Sequence, residues 1–341
     1  MSISVPLRSR AVITAIGTYV PDRVLSNADL EKIVDTSDEW IVRVTGMRER
    51  RIAAEDEYTS DLIFAAVRDM VRRYSVDLAD VDYILVATST PDTFFPSMAA
   101  RVQAEFGIAR CGSADIQAAC AGLTAAVQLA NGLLLSGAFR KILVVGADAL
   151  SKATDYADRT TCVLFGDGAG ALLLEAAGED EGSLIAVYAE TDGTGGKHLY
   201  RSSLSGRIGD EPIKTNGMIV QNGREVYRWA TSRVADAIQA FIKASGLTAD
   251  QIDWFVPHSA NIRIIEHLCE KTGIPMDRTL TSLEYYGNTS AASILLALDE
   301  GVKKGKVGPG QTVLLHGYGG GLMQAGIIVK WTLPAYSPSS S

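Results

Sequence analysis

Two hydrophobic periods alternate along this chain. Short continuous apolar runs read as strands: Ala11-Val12-Ile13-Thr14-Ala15-Ile16, Val81 to Ala87, Ile142-Leu143-Val144-Val145-Gly146 and Ala171 to Leu174. Between them, apolar residues recur at helical spacing, as Leu62, Ile63, Ala66, Val67 and Met70 do within Thr59 to Arg73, and helix resumes over Met98 to Phe106. Ser26 with Asp29 three residues on predicts a capping box opening a short helix. From Ala118 to Ser136 the helical run is apolar on nearly every side. Its polar positions Thr124, Gln128 and Asn131 share one narrow face, so this helix must be buried. Ile142 to Gly146 is a strand of the kind found inside covered parallel sheets.

The second half repeats this order. Asp80-Val81-Asp82-Tyr83-Ile84-Leu85-Val86 is echoed by Gln251-Ile252-Asp253-Trp254-Phe255-Val256, and Ile142 to Gly146 by Val313-Leu314-Leu315-His316-Gly317, both at an offset of 171. The same offset carries the Thr59 helix onto the region of Val234 to Ile242 and sets Ser290 opposite Ala119. A shared offset across several elements implies an internal duplication, with α/β, βαβ-like halves at 1–176 and 177–333. Residues 334–341, rich in Pro and Ser, read as a mobile tail. Small residues line both corresponding helices: Ala118, Ala119, Ala121 and Gly122 in one, Ser290, Ala291, Ala292 and Ser293 in the other. Their starts, carrying Cys120 and Asn288, can therefore approach closely.

Composition narrows the function. The 341 residues are 47% apolar and 21% charged, the balance of a globular protein with a large core. A formal net charge of −8 argues against nucleic acid as the main partner. Cys111, Cys120, Cys162 and Cys269 show no C-x-x-C spacing and no histidine cluster, so no metal site is expected and a reduced, cytoplasmic setting fits. The N-terminus lacks a signal peptide's apolar core, and the most apolar helix is interrupted by polar residues, so no membrane span is expected.

Cys120, in Gln117-Ala118-Ala119-Cys120-Ala121-Gly122-Leu123, falls where a strand hands over to a helix. Free N–H groups and the helix dipole favour a thiolate there. A small cysteine filling a core fits the same stretch, which alone leaves both readings open. His258 follows the strand Trp254-Phe255-Val256, at a strand end where catalytic loops collect in α/β proteins. Gly317-Tyr318-Gly319-Gly320-Gly321 either brings backbone N–H groups close to a ligand or is a plain turn. Gly166-Asp167-Gly168-Ala169-Gly170 is not a dinucleotide loop, because its spacing is not G-x-G-x-x-G and a strand follows. Arg43, Arg48, Arg50 and Arg51 form either a solvated basic surface or a phosphate contact beside Trp40.

Cys120 in Ala-Ala-Cys-Ala-Gly, His258 in Pro-His-Ser-Ala-Asn-Ile-Arg, Asn288 in Tyr-Gly-Asn-Thr-Ser-Ala-Ala-Ser and the Gly317 to Gly321 segment together resemble the β-ketoacyl-[acyl-carrier-protein] synthase III family. The likeness runs from about Val12 to Trp331. It implies the thiolase-like fold, a duplicated five-layer αβαβα arrangement, usually as a homodimer. It also implies that Cys120 takes an acyl group from acyl-CoA, and that His258 and Asn288 stabilise the enolate formed as malonyl-acyl-carrier protein loses carbon dioxide. Backbone N–H groups of Cys120 and Gly320 would form the oxyanion hole. By the same resemblance Trp40 and Arg159 clamp the CoA adenine, while Thr36, Gly223, Asn261 and Arg263 line the pantetheine and phosphate path. Ser259, Ala260, Asn261, Ile262 and Arg263 lie beside the carrier-protein docking surface, and Phe95 closes the partner subunit's acyl pocket. No cofactor is implied beyond the CoA substrate. The chain departs from the family pattern at Ser259, where glutamine is usual, and at Val44-Thr45-Gly46, where Arg-Thr-Gly is common and Arg43 stands one place earlier.

Related chemistries fit less well. A thiolase would carry a second cysteine in its C-terminal glycine segment, and none follows Cys269. A chain-elongating synthase would pair two histidines where Asn288 stands. A polyketide-type or secondary-metabolite condensing enzyme, and an acyl-transfer module that no longer condenses, are the alternatives.

Overall fold

The computed structural model describes residues 2–4, 8–178 and 181–334. The expected tail beyond Pro334 lies outside them. Strands and helices form where the apolar periods place them. Ala11–Tyr19 and Lys141–Ala149 are strands, and Thr59–Tyr74 and Met98–Glu105 are helices. The Ser26 hydroxyl accepts from the Asp29 N–H while the Asp29 carboxylate accepts from the Ser26 N–H, so the expected capping box opens the Asn27–Leu30 helix.

Two five-stranded sheets organise the chain. The first runs Ala11–Tyr19, Asp167–Ala176, Lys141–Ala149, Tyr83–Ala87, Gly112–Ile116; the second runs Ser2–Ser4, Leu184–Thr191, Met323–Lys330, Thr312–Gly319, Trp254–Pro257. The offset of 171 persists in the register, because Tyr83 faces Ile142 and Trp254 faces Val313 in corresponding parallel pairs. Antiparallel partners on the other side make both sheets mixed. Lys141–Ala149 is nonetheless buried at every position, since helices cover both faces.

Strand pairing also crosses residue 176, because Ser2–Ser4 pairs with Leu184–Thr191. The second half also inserts two short strand pairs, Leu199–Arg201 with Ile219–Gln221 and Arg207–Ile208 with Glu211–Pro212.

Three apolar clusters define the layers. Helices Gly122–Leu135 and Ser293–Lys303 lie between the sheets, where Leu123, Val127, Ile294 and Leu295 pack with Val144 of one sheet and Leu315 of the other. Thr59–Tyr74 and Met98–Glu105 cover the outer face of the first sheet, and Ala235–Ala244 and Ile262–Thr272 that of the second. This is the duplicated αβαβα arrangement expected from the sequence. The polar face of the first central helix stitches it in place, because Gln128 Nε2 donates to the carbonyls of Tyr188 and Gly326 at 2.8 and 3.0 Å, and Asn131 Oδ1 accepts from Ser9 Oγ at 2.8 Å.

Glycines set how closely the central layer seats. A Cβ on Gly146 would lie 2.5 Å from the Ala291 carbonyl oxygen, and one on Gly170 would lie 2.4 Å from Leu295 Cβ. Gly168 and Gly170 therefore belong to a strand beneath a helix, and the 166–170 run has no phosphate to cradle. Gly146→Ala should destabilise the protein by about 1–3 kcal/mol, because backbone on both sides must move. Denaturant unfolding checks this, and an unchanged midpoint would show that the layers are not held at glycine distance.

Candidate active site

Cys120 sits in a tight 3-10 turn, Ala119–Ala121, between strand Gly112–Ile116 and helix Gly122–Leu135. Ala119 has φ +44°, and Ser290, its counterpart in the repeat, has φ +49° at the turn that opens Ser293–Lys303. Non-glycine residues in this left-handed region are strained, and such strain is characteristic of functional sites. The two elbows meet. Ser290 Oγ lies 3.4 Å from Cys120 Sγ.

The glycine segment faces the same point, but mostly not as a loop. Gly317 and Gly319 lie within strand Thr312–Gly319, where a Cβ would fall 2.7 Å from Ala121 Cα or 2.8 Å from Cys120 Cβ. Glycine is required there by close approach. Gly320, in the turn that follows, adjoins Ala119.

His258 comes from the loop after Trp254–Pro257 and is buried. Its Nδ1 lies 2.7 Å from Ser293 Oγ, which also accepts the Ser259 N–H at 3.3 Å. The Ser293 hydroxyl can donate its proton to Nδ1, an arrangement that puts the ring hydrogen on Nε2. The Tyr318 ring meets the imidazole edge-on at 5.4 Å, and its hydroxyl donates to the His258 carbonyl at 3.2 Å. Asn288 is locked to the first half, because its N–H donates to the Leu164 carbonyl at 2.8 Å and its carbonyl accepts from the Gly166 N–H at 3.0 Å. Its Oδ1 accepts the Ser290 N–H at 2.9 Å, which leaves the amide NH2 as the available end.

Cys120, His258, Asn288 and Gly320 line one pocket of about 530 Å³, which Trp40, Gly223, Ala260, Asn261 and Arg263 also line. At its outer end the Arg159 guanidinium stands 5.7 Å over the Trp40 ring. A shallower cleft shared by Trp40, Arg159 and Gly223 continues outward.

Burial sets the charge state. It pushes the Cys120 thiol up to about 12 and the His258 imidazole down to about 3. The helix start was expected to favour a thiolate. Desolvation acts in the opposite direction, and the α-helix proper begins only at Gly122. The resting pair is a neutral thiol and a neutral imidazole.

Ser259, Thr36, Ile262 and Phe95 fall outside the pocket lining. Ser259 is fully buried and its hydroxyl accepts the Ser282 N–H at 3.0 Å, so it supports the loop and cannot touch a docking protein. Thr36 is not in the pocket lining, and its hydroxyl has no hydrogen-bond partner among the described residues. Ile262 packs against Gly46. Asn261 and Arg263 brace the Asp38–Thr45 helix by donating to the carbonyls of Val44 and Arg43 at 2.9 and 3.0 Å. Phe95 is 87% exposed and does not line this chain's own pocket. The arginine cluster is not one patch: Arg50 is buried on the Val163 carbonyl and Asn27, Arg48 pairs with Glu284 at 3.0 Å, and Arg43 is exposed outside the pocket lining. Sequence reasoning took Ser290 and Ser293 only as small residues of a closely approaching helix and gave Tyr318 no role, although the offset of 171 already set Ser290 opposite Ala119. Among the described residues no helix is long and apolar enough to cross a membrane, and no group of His, Cys, Asp and Glu could hold a metal ion.

Comparison with known proteins adds a second line of evidence. The model of 3-oxoacyl-[acyl-carrier-protein] synthase III matches residues 114–193, and that of its C-terminal part matches residues 242–331. β-Ketoacyl-[acyl-carrier-protein] synthase III 2 of Bacillus subtilis is 57% identical across 95% of this chain and 99% of its own length. The Bacillus anthracis protein of that name is 54% identical across 96% and 100%. The crystal structure of the Thermus thermophilus synthase III superposes with a TM-score of 0.90 at 46% identity, covering 94% of this chain and 99% of that one. The fold is therefore thiolase-like.

A neutral His258 fixed by Ser293 has a spectroscopic consequence. Imidazole nitrogen NMR should show Nδ1 unprotonated and Nε2 protonated from pH 8 down to pH 5, with charging only as the pH falls towards about 3. Ser293→Ala should mix the tautomers. A His258 midpoint near 6.5 would contradict the burial argument.

Proposed function

The chain belongs to the β-ketoacyl-[acyl-carrier-protein] synthase III family, and on that premise we propose that it condenses an acyl-CoA primer with malonyl-acyl-carrier protein. The products are 3-oxoacyl-carrier protein, CoA and carbon dioxide, and the step initiates fatty acid biosynthesis. The observation that carries the proposal is the meeting of Cys120, from one half of the duplication, with His258 and Asn288 from the other inside one pocket.

In the first half-reaction Cys120 Sγ attacks the acyl-CoA thioester, and its proton ends on the departing CoA sulfur. Backbone N–H groups of Cys120 and Gly320 receive the oxyanion; one such donor is worth about 3–4 kcal/mol. Trp40 and Arg159 form a flat cationic clamp suited to an adenine at the outer end, and Gly223 leaves room for the pantetheine arm. In the second half-reaction the malonyl thioester oxygen accepts from His258 Nε2–H and the Asn288 amide. An uncharged imidazole suits this role, because it donates without needing a proton from solvent. Carbon dioxide leaves, and the resulting carbanion attacks the acyl carbonyl on Cys120 and expels the sulfur.

The carrier protein docks near Ala260, Asn261, Ile262 and Arg263, with Arg263 exposed to meet an acidic partner. The enzyme works as a homodimer in the cytoplasm, without cofactor or metal. Phe94 and Phe95, 72% and 87% exposed in adjacent positions, are an apolar surface that a second subunit would bury.

Incubation with acyl-CoA should add one acyl group at Cys120, read by peptide mass spectrometry. Labelling at Cys111, Cys162 or Cys269 instead would sink the nucleophile assignment. His258→Ala and Asn288→Ala should each spare acyl transfer and reduce malonyl decarboxylation at least a hundredfold, about 3 kcal/mol; equal loss of both half-reactions would remove their assigned role. Phe95→Ala should change the preferred primer length in a chain that sediments as a dimer, and an unchanged primer profile would count against a trans pocket.

A further inference from the structure

Among the described residues, no cation acts on the sulfur that must become an anion. The titratable groups facing Cys120 are Asp148 at the end of Lys141–Ala149, His258 on the loop after Trp254–Pro257, and Tyr318 on Thr312–Gly319. Asp148 is fully buried, and its charge opposes a thiolate. His258 is neutral, and burial holds the Tyr318 phenol protonated. Neutral donors must therefore stabilise whatever charge develops on Sγ. One is the backbone N–H of Cys120 itself. The other is a side chain from the opposite half of the molecule.

Ser290 and Cys120 are both buried, with 3.4 Å between hydroxyl oxygen and sulfur. The turn around Ser290 is pinned from two directions, because the Ser290 N–H donates to Asn288 Oδ1 at 2.9 Å and the Ala291 N–H donates to Asp148 Oδ2 at 3.3 Å. The duplication then separates strain from chemistry. Both elbows carry a left-handed residue, but the one beneath the nucleophile is Ala119, which has no polar group. An elbow needs no hydroxyl. The hydroxyl at 290 is an addition, and it reaches across to the nucleophile.

We propose that Ser290 is a catalytic residue of the acyl-transfer half-reaction, donating its hydroxyl proton to the Cys120 sulfur as negative charge develops there. The proposal rests on the reading of Cys120 as nucleophile. The same hydroxyl also reaches the Asp148 carboxylate. While the thiol is intact its proton can serve the carboxylate; as the sulfur gains charge the proton turns to it. Ser290 keeps its own O–H bond throughout. The thiol proton ends on CoA as the Sγ–acyl bond forms and the acyl–CoA bond breaks, so the step balances without another reagent.

Two variants separate the hydroxyl from the backbone. Ser290→Ala removes the donor and keeps the strain, whereas Ser290→Gly removes the donor at a position where glycine adopts φ +49° freely. The readouts are the rate of iodoacetamide alkylation of Cys120 at pH 8, located by peptide mass spectrometry, acyl transfer from acetyl-CoA and isobutyryl-CoA, and decarboxylation of malonyl-carrier protein. Losing a hydrogen bond to a charged sulfur, partly offset by the greater nucleophilicity of a more basic thiolate, should slow alkylation about three- to tenfold in both variants. Acyl transfer should fall with it, and more heavily than decarboxylation. Wild-type alkylation and acyl transfer in Ser290→Gly would overturn the proposal, as would equal loss of both half-reactions. Acyl label on another cysteine of the unmodified enzyme would instead overturn the nucleophile reading beneath it.

Discussion

Everything in this molecule depends on the close contact of two strained turns at the centre of a duplicated fold. The left-handed Ala119 and Ser290 bend the chain sharply from strand to buried helix, and they do so at equivalent places in the two halves. The halves seat against each other only because glycine stands opposite: Gly146 against the Ala291 carbonyl, and Gly317 and Gly319 against Ala121 and Cys120. One methyl at any of these points would hold the layers apart. The strain at the elbows is sustained by the packing around them, since both central helices are embedded between covered sheets.

That contact produces a site neither half contains alone. In the proposed reaction the first half supplies the nucleophile on its elbow, and the second supplies donors from the ends of its own strand and turn. The reacting side chains are also buried. Burial raises the thiol and lowers the imidazole, so the resting pair carries no charge, and stabilisation comes from oriented neutral donors in a low-dielectric setting. Such donors need no reorganisation when charge appears, and each is held by a second contact: His258 by Ser293 and Tyr318, and Asn288 by Leu164, Gly166 and Ser290. The pocket runs outward from this buried end to the Trp40 and Arg159 pair, where polar parts of a long substrate can remain wet.

Much of the architecture was legible in the sequence, because apolar period and a constant offset are properties of the chain alone. The offset of 171 recurs in the sheet register, where Tyr83 faces Ile142 and Trp254 faces Val313. Cys120, His258 and Asn288 were found through strand ends, small-residue helices and family motifs, and they do converge on one pocket. What the chain alone concealed was solvation. Nothing local to Ser259 says that it is sealed beneath Ser282, nothing near Cys120 says that burial pushes its thiol up, and four arginines within one short stretch do not reveal that Arg50 is buried on a carbonyl. The glycine run left two readings open in a related way. Read locally it is a turn, whereas its glycines answer to a partner turn almost two hundred residues earlier.

The most direct test of a shared site between the halves is a crystal structure of the acyl-enzyme formed from acyl-CoA. The acyl group should sit on Cys120, with its carbonyl oxygen turned to the backbone N–H groups of Cys120 and Gly320 and the exposed face of its carbonyl carbon towards His258 and Asn288. An acyl group on any other residue, or a carbonyl whose open face is turned away from His258 and Asn288, would contradict it.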